Sequence, residues 1–486
     1  MLTINPTRAA HQALLVGAVC WINIPRTAHA QSTAPEESAA PVAQIEAEPA
    51  PAYTAPVVEA PPTAPSVPVP PPSPEPTAAP AAEPDPNAGI VSFKPGKGLD
   101  IKSNDGNFTL NVRLKTQLMN EVHKLKSAQK ASVDFFVRRL RLAFQGNVFS
   151  KNVKYKIELT AAAAEMGRTD PRTAERLVAG SDPMMMTQAT LDRDEVSQTP
   201  LLDAYFDFTH LRDLNIRVGQ SKIPFGRERM WSDNEMIVVD RSLEDTEFNF
   251  DRDMGIDVRS SDLFGIDMLH YYLGVYVAED RNSALTTLGR GDLGFVYNGR
   301  IEFLPLGNFE EVATDFDRNK PKLSLGVAYA YLQTDATSPY ARQSIGTLIG
   351  KVTDLAKVDF KVHNFTADLL FKGGGLTLLG AFHYRKAVDL PSAAKAARNG
   401  YGGVIQGGYL FSNDVPLELQ VNFGAIRALK KDSNTIPDNE LGGGFNYYFN
   451  RHAIKLQLEV SRIWYKNEVD KPRDETRVRA QLQVML

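Results

Sequence analysis

The sequence contains one cysteine, Cys20, among 486 residues. That leaves no pair for a disulfide and no set for a cysteine zinc site. No apolar run approaches the ~18–20 residues of a membrane-crossing helix, which excludes a polytopic helical membrane protein. Neither charge sign dominates, with 54 Lys and Arg against 58 Asp and Glu, so a strongly basic nucleic-acid-binding chain is excluded. The eight histidines are scattered, with no His-Glu-x-x-His pair. P-loop, dinucleotide and Gly-x-Ser-x-Gly fingerprints are absent. Met184-Met185-Met186 reads as loop or packing. Asp251-Arg252-Asp253 lacks the remaining ligands of a calcium loop, and Arg290-Gly291-Asp292 reads as a hairpin turn. The expectation is a chain without catalytic residues, metal or cofactor.

What is present falls into three parts. Residues 1–30 carry Arg8, an apolar stretch from Ala13 to Ile24, and Ala28-His29-Ala30. This is the pattern of a secretory signal peptide cleaved after Ala30. Residues 31–90 hold 17 Pro and eight acids, with no Lys or Arg and Tyr53 as the sole aromatic. Such a segment cannot bury enough apolar surface to offset chain entropy, and is expected to be a disordered acidic Pro/Ala-rich linker. Fully extended, it would reach on the order of 180 Å. Setting aside its eight acids and the two arginines of 1–30 turns the chain's net charge of −4 into +2 for residues 91–486.

Residues 91–486 alternate with period two. Phe108, Leu110, Val112, Leu114, Leu118 and Val122 share one face, and Thr109, Asn111, Arg113, Lys115, Gln117 and Glu121 the other. The pattern returns at Val153–Thr160, at Ile454–Ser461 and at Arg477–Leu486. Further strands are expected at Phe136–Phe144, Leu202–Phe208, Leu214–Gln220, Leu269–Val277, Phe295–Phe303, Leu323–Tyr331, Thr366–Phe371, Leu376–Tyr384, Tyr401–Phe411, Leu417–Ile426 and Gly442–Phe449. Helical patterns between them are weak. Long alternating strands on an exported chain without disulfides point to an all-β fold, a transmembrane antiparallel barrel of about 16 strands, in which closure satisfies every backbone hydrogen bond. Tyr271, Tyr272, Tyr276, Tyr447, Tyr448, Phe449, Trp464 and Tyr465 are expected to form interfacial girdles.

The order of several segments resembles the phosphate-selective porin O and P family of bacterial outer-membrane proteins. Phe135-Phe136-Val137-Arg138-Arg139 with Leu142-Ala143-Phe144 is similar to its paired-arginine strand. Arg113-Leu114, Asp203-Ala204-Tyr205, Arg217-Val218-Gly219-Gln220, Pro224-Phe225-Gly226, Asp240-Arg241-Ser242 and Asp251–Gly255 follow in the family's order, as do Gly444–Tyr448 and Lys455-Leu456-Gln457. The resemblance implies a 16-stranded homotrimeric porin in the bacterial outer membrane, surrounded by lipid, with an inward-folded constriction loop within Pro224–Asp253. It implies passive diffusion of small anionic or neutral solutes, with phosphate or other oxyanions among them. The sequence departs from the phosphate-selective pattern at Ser232-Asp233-Asn234, where a Ser-Ser-Lys run is expected, and it ends in Leu486 rather than an aromatic.

The strand faces place Arg113, Lys115, Arg139, Arg141, Lys154 and Lys156 on the lumenal wall, opposed by Glu121 and Glu158. A cationic wall favours anions, unless acids on other strands balance it. Arg138 has the opposite parity and belongs at a strand end, a bulge or a subunit contact. In the loop, Lys222, Arg227, Arg229 and Arg241 alternate with Glu228, Asp233, Glu235 and Asp240. Such a loop sets a transverse field or closes on itself in salt bridges. An alternative role is a tether, with the barrel as anchor and residues 31–90 touching the cell wall.

Overall fold

The computed structural model describes residues 90–126, 129–162, 165, 201–278, 294–310, 312–335, 359–388, 398–430, 433, 435, 437–465 and 474–486. The signal peptide and most of the linker, residues 1–89, lie outside these. So does the Met184–Met186 run.

Eighteen strands run in chain order: β1 Ile90–Lys94, β2 Gly98–Lys102, β3 Thr109–Leu125, β4 Ser132–Asn147, β5 Val153–Thr160, β6 Leu201–Leu211, β7 Leu214–Lys222, β8 Arg252–Ser260 and β9 Leu269–Tyr276. They continue with β10 Phe295–Phe303, β11 Lys322–Asp335, β12 Asp359–Gly373, β13 Leu376–Val388, β14 Gly400–Leu410, β15 Leu417–Ala428, β16 Asp438–Asn450, β17 Ile454–Trp464 and β18 Asp474–Met485. Each strand from β3 to β18 pairs antiparallel with its chain neighbour, and β18 pairs back with β3. The result is a closed 16-stranded antiparallel barrel. Closure removes the edges that lipid cannot satisfy. A barrel of this size leaves an aqueous interior.

The remaining strands, β1 and β2, form a hairpin added to the Thr109–Val112 end of β3. Ile90, assigned to the linker by composition, is the first residue of that hairpin. At this same end lie the two-residue turns 212–213 and 374–375, and the three-residue turn 451–453. The opposite end carries the long connections. In outer-membrane barrels the short turns face the periplasm and the long loops the exterior.

Alternation sorts the side chains as periodicity requires. In β15, Glu418, Gln420 and Asn422 are buried inside, while Leu419, Val421 and Phe423 are exposed outward. Two expectations are corrected. β8 was absent from the expected strands because its inward face reads Asp253, Gly255, Asp257, Arg259 and its outward face is only Met254, Ile256 and Val258. Tyr272, Tyr276, Tyr448 and Tyr465 do not belong to a girdle. Tyr276 and Tyr448 are buried in the lumen, Tyr465 is buried just past β17, and Tyr272 sits beneath the Arg259 guanidinium, which is 5.3 Å from its ring centre. Strand-end position is identical for both faces, and only register separates them.

Candidate functional site

The connection between β7 and β8, residues 223–251, lies inside the barrel. Its first residues, Pro224-Phe225-Gly226, cannot extend the β7 ladder, and they turn the chain inward. Ile223, Phe225 and Phe250 then join Tyr276, Val296, Ala328, Ala330, Leu332 and Val362 in an apolar cluster between the loop base and the β9–β12 wall. A second cluster packs Trp231, Met236, Ile237 and Val238 on Leu370, Leu379 and Ala313. These apolar side chains explain why the loop stays in an otherwise polar lumen.

The polar anchors are specific. The Asn298 amide donates to the Pro224 carbonyl at 3.0 Å, and Arg300 donates to the Phe225 carbonyl at 2.7 Å. Arg227 and Arg300 both reach Asp368, at 2.6 and 2.7 Å. Glu302 completes this buried quartet, 2.7 Å from Arg300 and 3.6 Å from Arg227. Farther along, Lys455 donates to the Met236 carbonyl at 2.8 Å, Asn446 to the Ile237 carbonyl at 2.7 Å, and the Val239 N–H to Glu459 at 3.1 Å. Gln483 donates to the Asn234 carbonyl at 3.0 Å. The loop is thereby stitched to β10–β12 and β16–β18.

Two short helices shape it, α1 (Arg227–Met230) and α2 (Leu243–Phe248). Ser242 caps α2, accepting the Asp245 N–H at 3.2 Å. α2 lies against β13–β15, where Gly402 and Gly424 face it. A Cβ on Gly402 would stand 2.8 Å from the Phe248 ring, and one on Gly424 2.3 Å from the Glu244 carboxylate. The glycines of these strands form the bed on which the helix rests.

The lumenal arginines of β4 are spent on the loop. A bulge opposite Gln117 and Leu118 inserts one residue into β4. Arg138 and Arg139 therefore both turn inward, each 3.0 Å from Asp240. This decides the place of Arg138: a bulge. Arg141 lies 2.7 Å from Asp233, which also contacts Arg241. Burial raises the Asp233 carboxyl pKa, but Arg241, Arg141 and Arg139 outweigh it and hold it well below the usual range. Burial, with Asp245 beside it, pushes Glu228 up to about 7. Burial also lifts Glu244 well above the carboxylate range, with Glu440, Glu228 and Asp438 adding to the effect.

Water access marks where the lumen stays open. The inward side chains of β14–β18 are almost all buried. Lys156, Arg229 and Asp251 keep 23, 22 and 27% of their side-chain exposure. They border a passage between the loop and β3–β6. Lys115 faces it 3.7 Å from Glu158, and Lys156 lies 2.6 Å from both Glu158 and Asp203. Arg252 reaches Asp203 at 2.7 Å. Lys222 donates to the Trp231 carbonyl at 2.6 Å, and Arg241 to the same oxygen at 3.1 Å. Half-buried Glu235 supplies a carboxylate on the loop side.

The residues nominated from sequence thus divide. Lys115, Lys156, Lys222, Arg229, Glu235 and Arg241 converge on the passage. Arg139, Arg141, Arg227 and Asp233 are buried loop anchors. Arg113 sits apart near the short-turn end, donating to the Lys97 carbonyl at 3.1 Å, and Lys154 is exposed below the passage. Sequence reasoning missed Arg252, Asp203 and Asp251 at the passage, and the Arg300–Glu302–Asp368 anchor. It also missed a turn of the short end, residues 304–321, that folds inward. Thr314 there bonds the Tyr448 hydroxyl at 2.8 Å, and Asp315 accepts the Gly375 N–H at 2.9 Å. The signal for the anchor was present as lone charges on the inward faces of β10 and β12. Among the described residues, no group of three His, Cys, Asp or Glu is placed to hold a metal ion.

Residues 108–312, from the start of β3 through the inward loop to the turn after β10, match the model of the family described as phosphate-selective porin O and P. Over these residues the chain is similar to that family. An uncharacterized protein of Aquifex aeolicus (strain VF5) is 22% identical over 408 residues, covering 77% of this chain and 86% of its own. Among solved structures, OprB of Pseudomonas putida is similar at a TM-score of 0.49 and 11% identity, covering 78% of this chain and 94% of its own. The anion-selective porin from Comamonas acidovorans gives 0.47 and 10%, covering 78% and 99%. The outer membrane channel DcaP of Acinetobacter baumannii gives 0.45 and 13%, covering 78% and 97%. Family and barrel together place the porin in the outer membrane.

Proposed function

We propose that this porin is a passive diffusion channel favouring small anions, acting without catalysis. The observation that carries this reading is the charge around the passage. Lys115, Lys156, Lys222, Arg229, Arg241 and Arg252 ring it, and Glu158, Asp203, Asp233, Glu235, Asp245 and Asp251 stand among them, so the preference rests on the cations that meet water, Lys156 and Arg229. Solvent-facing cations at a water-filled constriction lower the entry barrier for anions and raise it for cations. Selection is by charge and width rather than by a tight phosphate site, because Asp233 already occupies Arg139, Arg141 and Arg241.

The test is the zero-current potential of the purified protein in a planar bilayer under a KCl gradient, followed by phosphate titration. An anion-selective potential with no block at low phosphate supports the reading. Block by low phosphate would replace it with a phosphate-specific channel, and a cation-selective potential would refute it. Assembly as a homotrimer is part of the proposal, and mass measurement in detergent checks it. The acidic 31–90 segment precedes a hairpin at the short-turn end of the barrel, which also suits a periplasmic tether. Deleting 31–90 should spare conductance and, under the tether reading, weaken the envelope.

A further inference from the structure

The outer wall between β9 and β13 carries a feature that passive diffusion does not use. Tyr297, Tyr331, His363 and Lys386 are register partners across four adjacent strands, β10 to β13. All four face outward, away from the buried Asn298, Leu332, Asn364 and Arg385. Lys361 lies one outward-facing step nearer the long-loop end. The Tyr329 hydroxyl bonds His363 Nδ1 at 2.7 Å and fixes the ring, and Tyr331 packs 5.3 Å from it. Beside this row is an apolar groove of about 380 Å³, lined by Ile256, Val258, Leu273, Val275, Tyr297 and Tyr329. The groove exists because Gly299 puts no side chain outward between Leu273 and Tyr329.

Position gives the pairing its meaning. Cations on a lipid-facing wall are costly at the bilayer midplane and nearly free at the interface. Lys361, His363 and Lys386 lie near the long-loop end, above tyrosines of the girdle, at headgroup depth in the outer leaflet. The groove lies below and two strands aside, roughly 10 Å across and 7 Å down by strand spacing and rise. An anionic head above and beside a hydrocarbon chain is the geometry of a phosphorylated lipid. We propose that this face seats an acylated, phosphorylated glycolipid of the outer leaflet, with its phosphate against Lys361, His363 and Lys386 and an acyl chain in the Gly299 groove. Lysine ammonium groups supply the charge, and the ring edge of His363 opposite Nδ1 adds a directional contact.

The test uses the full chain folded in detergent, with bis-phosphorylated lipid A as probe and native mass spectrometry as readout. Phosphate-free lipid A and phosphatidylethanolamine serve as comparisons. A chelator is present, so that a bridging divalent cation does not carry the binding. Wild type should bind lipid A at least tenfold more tightly than the phosphate-free form. Lys361→Gln/His363→Gln/Lys386→Gln should lose that difference. Gly299→Leu, which fills the groove, should weaken both forms alike. Both variants should keep wild-type conductance, since none of these residues faces the lumen. Equal binding of the two lipids, or unchanged binding by the triple variant, would overturn the proposal. A triple variant that changes oligomeric state with lipid binding intact would overturn it too, and assign the face to a second copy of the chain.

Discussion

Asp368→Asn should release the constriction loop while leaving the barrel standing. Asp368 sits on β12 and accepts Arg227 from the loop and Arg300 from β10, within 2.6–2.9 Å. With Glu302 the four groups form a neutral quartet, and both arginines are essentially inaccessible to water. The substitution removes one negative charge and leaves a buried positive charge uncompensated. Breaking a buried pair in this way costs about 3–5 kcal/mol. At 1.4 kcal/mol per tenfold, that shifts the docked-to-released ratio of the loop by about 100- to 4,000-fold. The barrel, held by sixteen paired strands, does not depend on this site. Single-channel recording in a planar bilayer should show a steady wild-type current and a larger, flickering current in the variant. Asp368→Asn/Arg227→Gln restores neutrality and should return the current toward wild type, a coupling that a double-mutant cycle measures. A quiet Asp368→Asn channel, or a double variant as noisy as the single, would refute the claim that this quartet holds the loop.

The other predictions concern the passage and the loop's own chemistry. Lys156→Gln/Arg229→Gln removes two cations; a unit charge about 6 Å from the ion path is worth ~0.7 kcal/mol in water. The anion-to-cation permeability ratio should then fall roughly tenfold per charge, because the anion loses and the cation gains that amount, read from the zero-current potential. Glu228 is raised to about 7 by burial and by Asp245, so its protonated form suits the folded loop. Loop docking is therefore strongest in acid and weakens as pH rises through about 7; current noise should grow on that side, and Glu228→Gln should flatten the dependence. Ser242→Ala removes the cap of α2 and the hydroxyl that donates to Glu228 at 2.7 Å. It should weaken docking by about 1 kcal/mol, seen as brief openings that the wild type lacks.

Much of the architecture could be read along the chain, because a membrane barrel obeys a rule with period two. One face of each strand must suit lipid and the other water, and that constraint is local. Fifteen of the barrel strands follow from it. β8 does not, because Gly255 and two aspartates dilute its inward face and only three apolar residues mark the other. The inward loop was legible through Pro224-Phe225-Gly226 and the residues that resemble the family, and its mixed charges were plain. Periodicity also set Arg113, Lys115, Arg139, Arg141, Lys154 and Lys156 on the lumenal face.

What those charges do was decided by tertiary structure alone. Arg139 and Arg141 have the same parity as Lys115 and Lys156, yet the first pair is consumed by Asp233 and Asp240 and the second borders water. No local rule separates them, because Asp233 and Asp240 stand about a hundred residues away in the loop and Glu165, which also pairs with Arg139 and Arg141, lies beyond β5. Arg227 is paired across 141 residues with Asp368. The bulge that turns Arg138 inward is set by pairing with β3. The glycines of β14 and β15 look like weak strand residues until α2 is found resting on them. Sequence fixes which side of the wall a side chain faces, since that depends only on counting by two. Which of the inward charges remains open to solvent depends on where the loop lands, and only the closed barrel with its loop in place decides that.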